Sequence, residues 1–132
     1  MIDLSRKRLA DVRHALLALH KTLVDSERVT YEQTIGPIQS PNHFLQLLTT
    51  DPWFAWLQPI SQLIVSMDEA LDPKELLTNQ DVDATLKQTR LLLKPAENND
   101  GFARHYFDAL QRDPDVVIAH GELMKLLGRR KV

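Results

Sequence analysis

The stretch Asp51-Pro-Trp-Phe-Ala-Trp-Leu57 and the apolar run behind it decide the fold. Asp51 accepts hydrogen bonds from free backbone N–H groups and Pro52 suits the first helical position, so the pair predicts a helix start. Apolar residues then recur at steps of three and four, which places them on one stripe of a helix. The stripe consists of Trp53, Trp56, Leu57, Ile60, Leu63, Ile64, Met67 and Leu71. Pro59 removes one backbone hydrogen bond and predicts a kink in this central helix.

The segment before it predicts one long first helix. Ser5 is placed to cap its start, and Gly36-Pro37 stops it after about Thr34. Its apolar residues form a heptad-like seam, which is typical of helices that pack in bundles. The seam consists of Leu9, Val12, Leu16, Leu19 and Leu23.

A second line on the same helix carries polar side chains. Arg13, His20 and Glu27 recur every seven residues, and Tyr31 follows Glu27 by four, so all of them point to nearly the same side. We predict that they form an internal polar network. Such a network would fix the register of the helices and would need no further function.

The remaining sequence repeats the same helix-start signals. Ser40-Pro41 and Asp113-Pro114 are cap-and-proline pairs, and Thr78 to Asp81 resembles a capping box. The last helix is expected to bury Val116, Val117, His120, Leu123, Met124 and Leu127. No stretch alternates like a strand over more than about five residues. The sequence therefore predicts an all-α fold: a compact bundle of about five to six helices in a single domain, residues 1–132.

Composition excludes several functional classes. The chain of 132 residues has no cysteine, so disulfides, cysteine-based zinc sites and thiol catalysis are excluded. Its net charge of −2 argues against nucleic acid as a partner, although short basic clusters occur at Arg6 to Arg8 and Arg129 to Lys131. No segment offers the ~18 uncharged apolar residues of a membrane span. We expect a cytoplasmic protein.

The tryptophans offer one candidate site. A kink at Pro59 would let the turn that carries the tryptophans lean over neighbouring helices. A pocket for a small apolar ligand under the tryptophans would then be lined by Trp53, Trp56, Tyr31 and Tyr106. The alternative is a bent core helix whose aromatic rings are only buried, and pockets are few in any protein.

The histidines and acidic residues offer a second candidate site, for a metal ion. Helical bundles bind iron, manganese or zinc through Glu and His from facing helices, and the candidate ligands here are His20, Glu27, His120 and Asp68. No Glu-x-x-His pair occurs, and His20 and Glu27 are about 10.5 Å apart along a helix axis. A histidine on an apolar stripe, such as His120, more often needs only a hydrogen-bond partner. No catalytic residue and no required cofactor is predicted.

Several motifs resemble an uncharacterised bacterial family of small helical proteins. They are the stretch from Leu19 to Glu32 (LHKTLVDSERVTYE), Asp51 to Leu57 (DPWFAWL), Gly101 to Tyr106 (GFARHY) and Arg112 to Val116 (RDPDV). The resemblance implies a bacterial, cytoplasmic protein and transfers no catalytic residue.

The first functional hypothesis is a non-enzymatic helical protein that binds itself, a protein partner or a small apolar ligand. The seam on the first helix would suit a homodimer. The alternative is a metal-binding bundle.

Overall fold

The computed structural model describes residues 4–128, and this part of the chain is an all-α bundle without a strand. The elements are α1 (Leu4–Thr34), α2 (Pro41–Thr50), a 3₁₀ helix (Pro52–Leu57), α3 (Gln58–Ala70), α4 (Asn79–Leu92), α5 (Phe102–Arg112) and α6 (Pro114–Gly128). The predicted fold class and the long first helix are confirmed. The basic cluster Arg129 to Lys131 lies outside the described residues.

The long helix α1 is the centre of the bundle. Its apolar seam, from Leu9 to Leu23, is fully buried. α1 packs most extensively against α6 and next against α3, with smaller contacts to α4 and the 3₁₀ helix. Burying a leucine stabilises a fold by roughly 2 kcal/mol, so this seam is a large part of the core.

The predicted kinked helix takes the form of two consecutive helices. The Asp51 carboxylate accepts from the backbone N–H of Trp53 and starts the 3₁₀ helix, which ends at Leu57. α3 then begins anew, with Pro59 in its first turn. A proline is tolerated there because the first N–H groups of a helix have no intrahelical acceptor. Pro59 therefore marks a helix start instead of a bend in one continuous helix.

Side chains close several of the helix ends. Thr78 and Asp81 form the reciprocal bonds of a capping box at α4, as the sequence predicts. Two arginines satisfy carbonyl groups at C-terminal ends: Arg6 donates to the carbonyl of Leu71 at 2.7 Å, and Arg90 donates to that of Leu127 at 3.0 Å. These bonds tie the ends of α3 and α6 to α1 and α4.

The described helices include none that is both long enough and apolar enough to cross a bilayer.

Two neighbouring leucines on α1 test how far the bundle depends on the seam. Leu16 is fully buried, whereas Leu17 is 41% exposed. We expect Leu16→Ala to lower the free energy of unfolding by about 2–5 kcal/mol, because it leaves a cavity in the core. The matched change Leu17→Ala should cost less than about 1 kcal/mol. Urea denaturation followed by circular dichroism measures both, and equal losses would contradict the buried seam.

Candidate functional site

Two polar contacts join α1 to α3. Arg13 donates to the carboxylate of Asp68 and forms an ion pair with it. Seven residues further along α1, the His20 Nε2 atom lies 2.9 Å from the Ser61 hydroxyl oxygen. Because the partner positions fall from 68 to 61 as the α1 positions rise from 13 to 20, the two helices run antiparallel in one fixed register.

The third member of the line, Glu27, has two donors. Its side chain is buried, at 8% exposure. One carboxylate oxygen accepts from the indole N–H of Trp53 at 2.8 Å, and the other accepts from Arg112 at 3.2 Å. Arg112 also donates to the hydroxyl of Ser26, at 3.1 and 3.2 Å. A buried carboxylate is tolerated because charged hydrogen bonds of this kind satisfy it.

The predicted polar network is thus divided into separate contacts. Arg13, His20 and Glu27 do lie on one side of α1, but each pairs with a different side chain of another element. Tyr31 joins the third contact through its ring, which meets the Trp53 ring edge-on with centroids 5.6 Å apart. The predicted role of the line in fixing helix register agrees with this geometry.

The four aromatic candidates for a ligand pocket fall into two groups. Tyr31 and Trp53 are in contact near Glu27, whereas Trp56 packs against Phe102 at 5.5 Å and leads through that ring to Tyr106. Tyr106 is fully buried, and Trp56 nearly so. Within the described residues the indole N–H of Trp56 has no hydrogen-bond acceptor. The rings pack on one another, which corresponds to the alternative of an aromatic core.

His120 has a partner inside the fold. Its Nδ1 atom lies 2.6 Å from the hydroxyl of Tyr106. Burial raises the pKa of Tyr106 and lowers the pKa of His120 below its ordinary value. The phenol is therefore protonated and the imidazole neutral, and the hydrogen bond between them is the arrangement expected for a histidine on an apolar stripe.

The candidate metal ligands are not brought together. Within residues 4–128 no group of three or more His, Asp or Glu side chains is arranged to hold an ion. His20 contacts Ser61, and His120 contacts Tyr106. Glu27 and Asp68 are each paired with an arginine. Each of the four candidates is held by a different partner.

Two surface depressions lie along the other side of α1, where it meets α6. The first, of about 490 Å³, is lined by Thr22, Asp25, Ser26, Val29, Thr30, Gln33, Arg112, Asp113 and Asp115. The second, of about 450 Å³, is lined by Asp11, His14, Ala15, Ala18, Glu122, Lys125 and Leu126. We call the two depressions together the α1–α6 groove.

The fold and these sites define a helical bundle with structural polar contacts and an open groove. No protein-family model, curated protein or solved structure matches the chain. The resemblance to a bacterial family of small helical proteins stays a prediction from its motifs.

Sequence reasoning missed Arg112 and the groove. Arg112 ends α5, directly before the cap at Asp113, and nothing local to it indicates that it reaches Glu27 on α1. The groove had a weak signal. Ile118 interrupts the polar side of α6 and is strongly exposed, and Val117, which was predicted to be buried, is also about half exposed.

We predict that loss of the Glu27 carboxylate weakens the junction of α1, the 3₁₀ helix and α5. Glu27→Ala leaves the Trp53 indole N–H and Arg112 without their acceptor, so it should cost about 2–3 kcal/mol of unfolding free energy. Asp25→Ala removes an exposed carboxylate on the same helix and should cost less than about 1 kcal/mol. Denaturation measures both losses, and the Trp53 indole proton resonance should shift only in the first variant. A cost for Glu27→Ala no larger than for Asp25→Ala would refute this role.

We also predict a pH dependence of stability from His20 and His120. Burial lowers the pKa of both in the folded state, so the unfolded chain binds more protons at mildly acidic pH. Stability should therefore be highest above the unfolded pKa of about 6.5 and should fall as the pH drops below it. His120→Gln should flatten this dependence in denaturation series, whereas His14→Gln, on the exposed side of α1, should leave it unchanged. The prediction would be contradicted if the unfolding free energy changed with pH equally in the unchanged protein and in both variants.

Proposed function

We propose that this protein is a non-enzymatic helical binding protein, and that it binds another protein through the α1–α6 groove. The observation that supports this most directly is the exposure of apolar side chains beside the groove. Ile118 on α6 is 64% exposed and Val29 on α1 is 54% exposed. Exposed apolar side chains beside a concave surface are typical of interaction sites.

The contacts of the polar candidates favour binding over catalysis. Catalysis requires a group that is free to reach a substrate. His20, His120 and Glu27 each make short hydrogen bonds to another side chain of the fold. These hydrogen bonds stabilise the bundle, and this role accounts for the positions of the three side chains.

The partner that we propose is a different protein. The α1 seam, which suggested a homodimer, is covered by the other helices of the same chain, so it provides no surface for a second copy. A small apolar ligand fits the larger depression poorly, because Val29 is its one aliphatic lining residue, among hydroxyl, amide and charged groups.

The proposal also includes the cellular location of the protein. We place the protein in the bacterial cytoplasm, on the basis of the motif resemblance and of a sequence without cysteine.

Site-specific photo-crosslinking in cells tests the proposal. A photoreactive phenylalanine analogue at position 118 should give a covalent adduct with another protein. The same analogue at position 91 is the control, because Leu91 on α4 is similarly exposed, at 56%. An adduct of twice the chain mass would identify a second copy as the occupant. Equal adduct patterns at the two positions, or none at position 118, would contradict the proposal.

A further inference from the structure

The two depressions follow one another along α1. The smaller one joins α1 residues 11 to 18 to α6 residues 122 to 126, and the larger one joins α1 residues 22 to 33 to the start of α6. The two helices are therefore antiparallel. Ile118 lies between Asp115 and Glu122 at steps of three and four, so it falls on the same line of α6. From residue 11 to residue 33 the groove is about 33 Å long at the helical rise.

Small and apolar side chains leave room for a third helix. Ala15 and Ala18 lie on the α1 side of the smaller depression, and Leu126 lies on the α6 side. Val29 lines the larger depression, and Ile118 is exposed on α6 between the positions that line the two depressions. Alanines on one side of a groove between two antiparallel helices favour the close axial approach of 8–10 Å that helix packing needs.

The groove is acidic. Its lining residues include five carboxylates, Asp11, Asp25, Asp113, Asp115 and Glu122, against two cations, Arg112 and Lys125, which is a net charge of −3. The positive charge of Arg112 is further offset by Glu27, which binds it from inside the fold. The larger depression, with three of the carboxylates, is the more acidic end.

Lys125, which lines the smaller depression, and two further lysines of α1 pair with carboxylates of the groove. Lys7, Lys21 and Lys125 lie 2.9, 3.7 and 3.7 Å from the carboxylates of Asp11, Asp25 and Glu122. Exposed ion pairs within one helix are worth only about 0.3–0.5 kcal/mol. Cations of a partner can therefore replace these lysines at small cost.

We propose that the α1–α6 groove binds a basic amphipathic α-helix of the partner protein. This inference rests on the proposed function and names the element that the groove recognises. Apolar anchors of the helix, spaced at i, i+3 or i+4 and i+7, pack against Ala18, Val29 and Ile118. Its lysine or arginine residues lie at the rim and concentrate near Asp25 and Asp115.

Two designed peptides of about 20 residues, which span about 30 Å, test this inference. Both carry leucine at the anchor positions; one has lysine at the flanking positions and the other has glutamate. Titration into the ¹⁵N-labelled protein should move the amide signals of Ala18, Val29 and Ile118. The lysine peptide should bind at least about tenfold more tightly than the glutamate peptide. Raising the salt concentration from about 50 mM to about 500 mM should reduce this difference.

Variants separate the apolar and the charged parts of the surface. Ile118→Lys should weaken binding of the lysine peptide about tenfold or more, whereas Leu91→Lys on α4 should change it less than about twofold. Asp25→Asn combined with Asp115→Asn should weaken the lysine peptide and strengthen the glutamate peptide. Asp100→Asn, in the exposed loop before α5, is the matched control.

Specific outcomes overturn the inference. Equal affinity for the two peptides, or shifts confined to other helices, would exclude a groove that selects a basic helix. If the unliganded protein dimerises through the groove in analytical ultracentrifugation and the lysine peptide does not dissociate the dimer, a second copy is the occupant. A protein adduct at position 118 without lysine-peptide binding would refute this inference and leave the proposed function standing. If neither an adduct at position 118 nor binding of the lysine peptide is observed, the proposed function and this inference are both refuted.

Discussion

The buried carboxylate of Glu27 is the interaction on which the arrangement of the bundle depends. It joins three elements that are distant in the chain: α1, the 3₁₀ helix through Trp53, and the end of α5 through Arg112. Hydrophobic packing alone is tolerant of small shifts along a helix. The buried carboxylate of Glu27 does not tolerate such shifts, because any shift that separates it from its donors leaves a desolvated charge. The apolar core makes the bundle stable, and Glu27 restricts how its helices are aligned.

Polar contacts also fix the register of α1 along the edge that carries Arg13, His20 and Glu27. Arg13, His20 and Glu27 make one polar contact in every seven residues of α1, and the positions of their partners run in the opposite direction along the chain. A shift of one helical turn would break all three contacts at once. The polar line therefore complements the fully buried seam beside it, since the seam provides the energy of burial and the line selects one register.

The features that sequence predicted well are those that local chemistry decides. Cap residues mark α2, α4 and α6 because a side chain and a nearby backbone N–H are sufficient to start a helix. The apolar stripe of α1 was equally readable, since its period alone shows which face is buried. Pro59 was ambiguous, because proline suits both a kink and a first turn, and the preceding 3₁₀ helix decides between them. The partners of Glu27 and His20 were beyond the sequence, because each contact depends on how distant helices meet.

The groove is a second feature that the sequence could not predict, because it depends on where helices leave a face uncovered. The hydrophobic pattern of α1 leaves Ala15 and Ala18 outside the buried seam. That pattern does not distinguish a face that other helices cover from one that is open to solvent. The structure shows that the two edges of α1 differ. The edge towards α3 is closed by polar side chains that match one another, whereas the edge towards α6 retains small residues, exposed Val29 and a row of carboxylates. α6 already contributes Val116, Leu123 and Leu127 to the core, so an isoleucine at position 118 adds nothing to the closure of the bundle. A single exposed isoleucine is common in soluble proteins. Ile118, however, lies on α6 between Asp115 and Glu122, two carboxylates of the groove, and this position supports the proposal that a partner helix covers it.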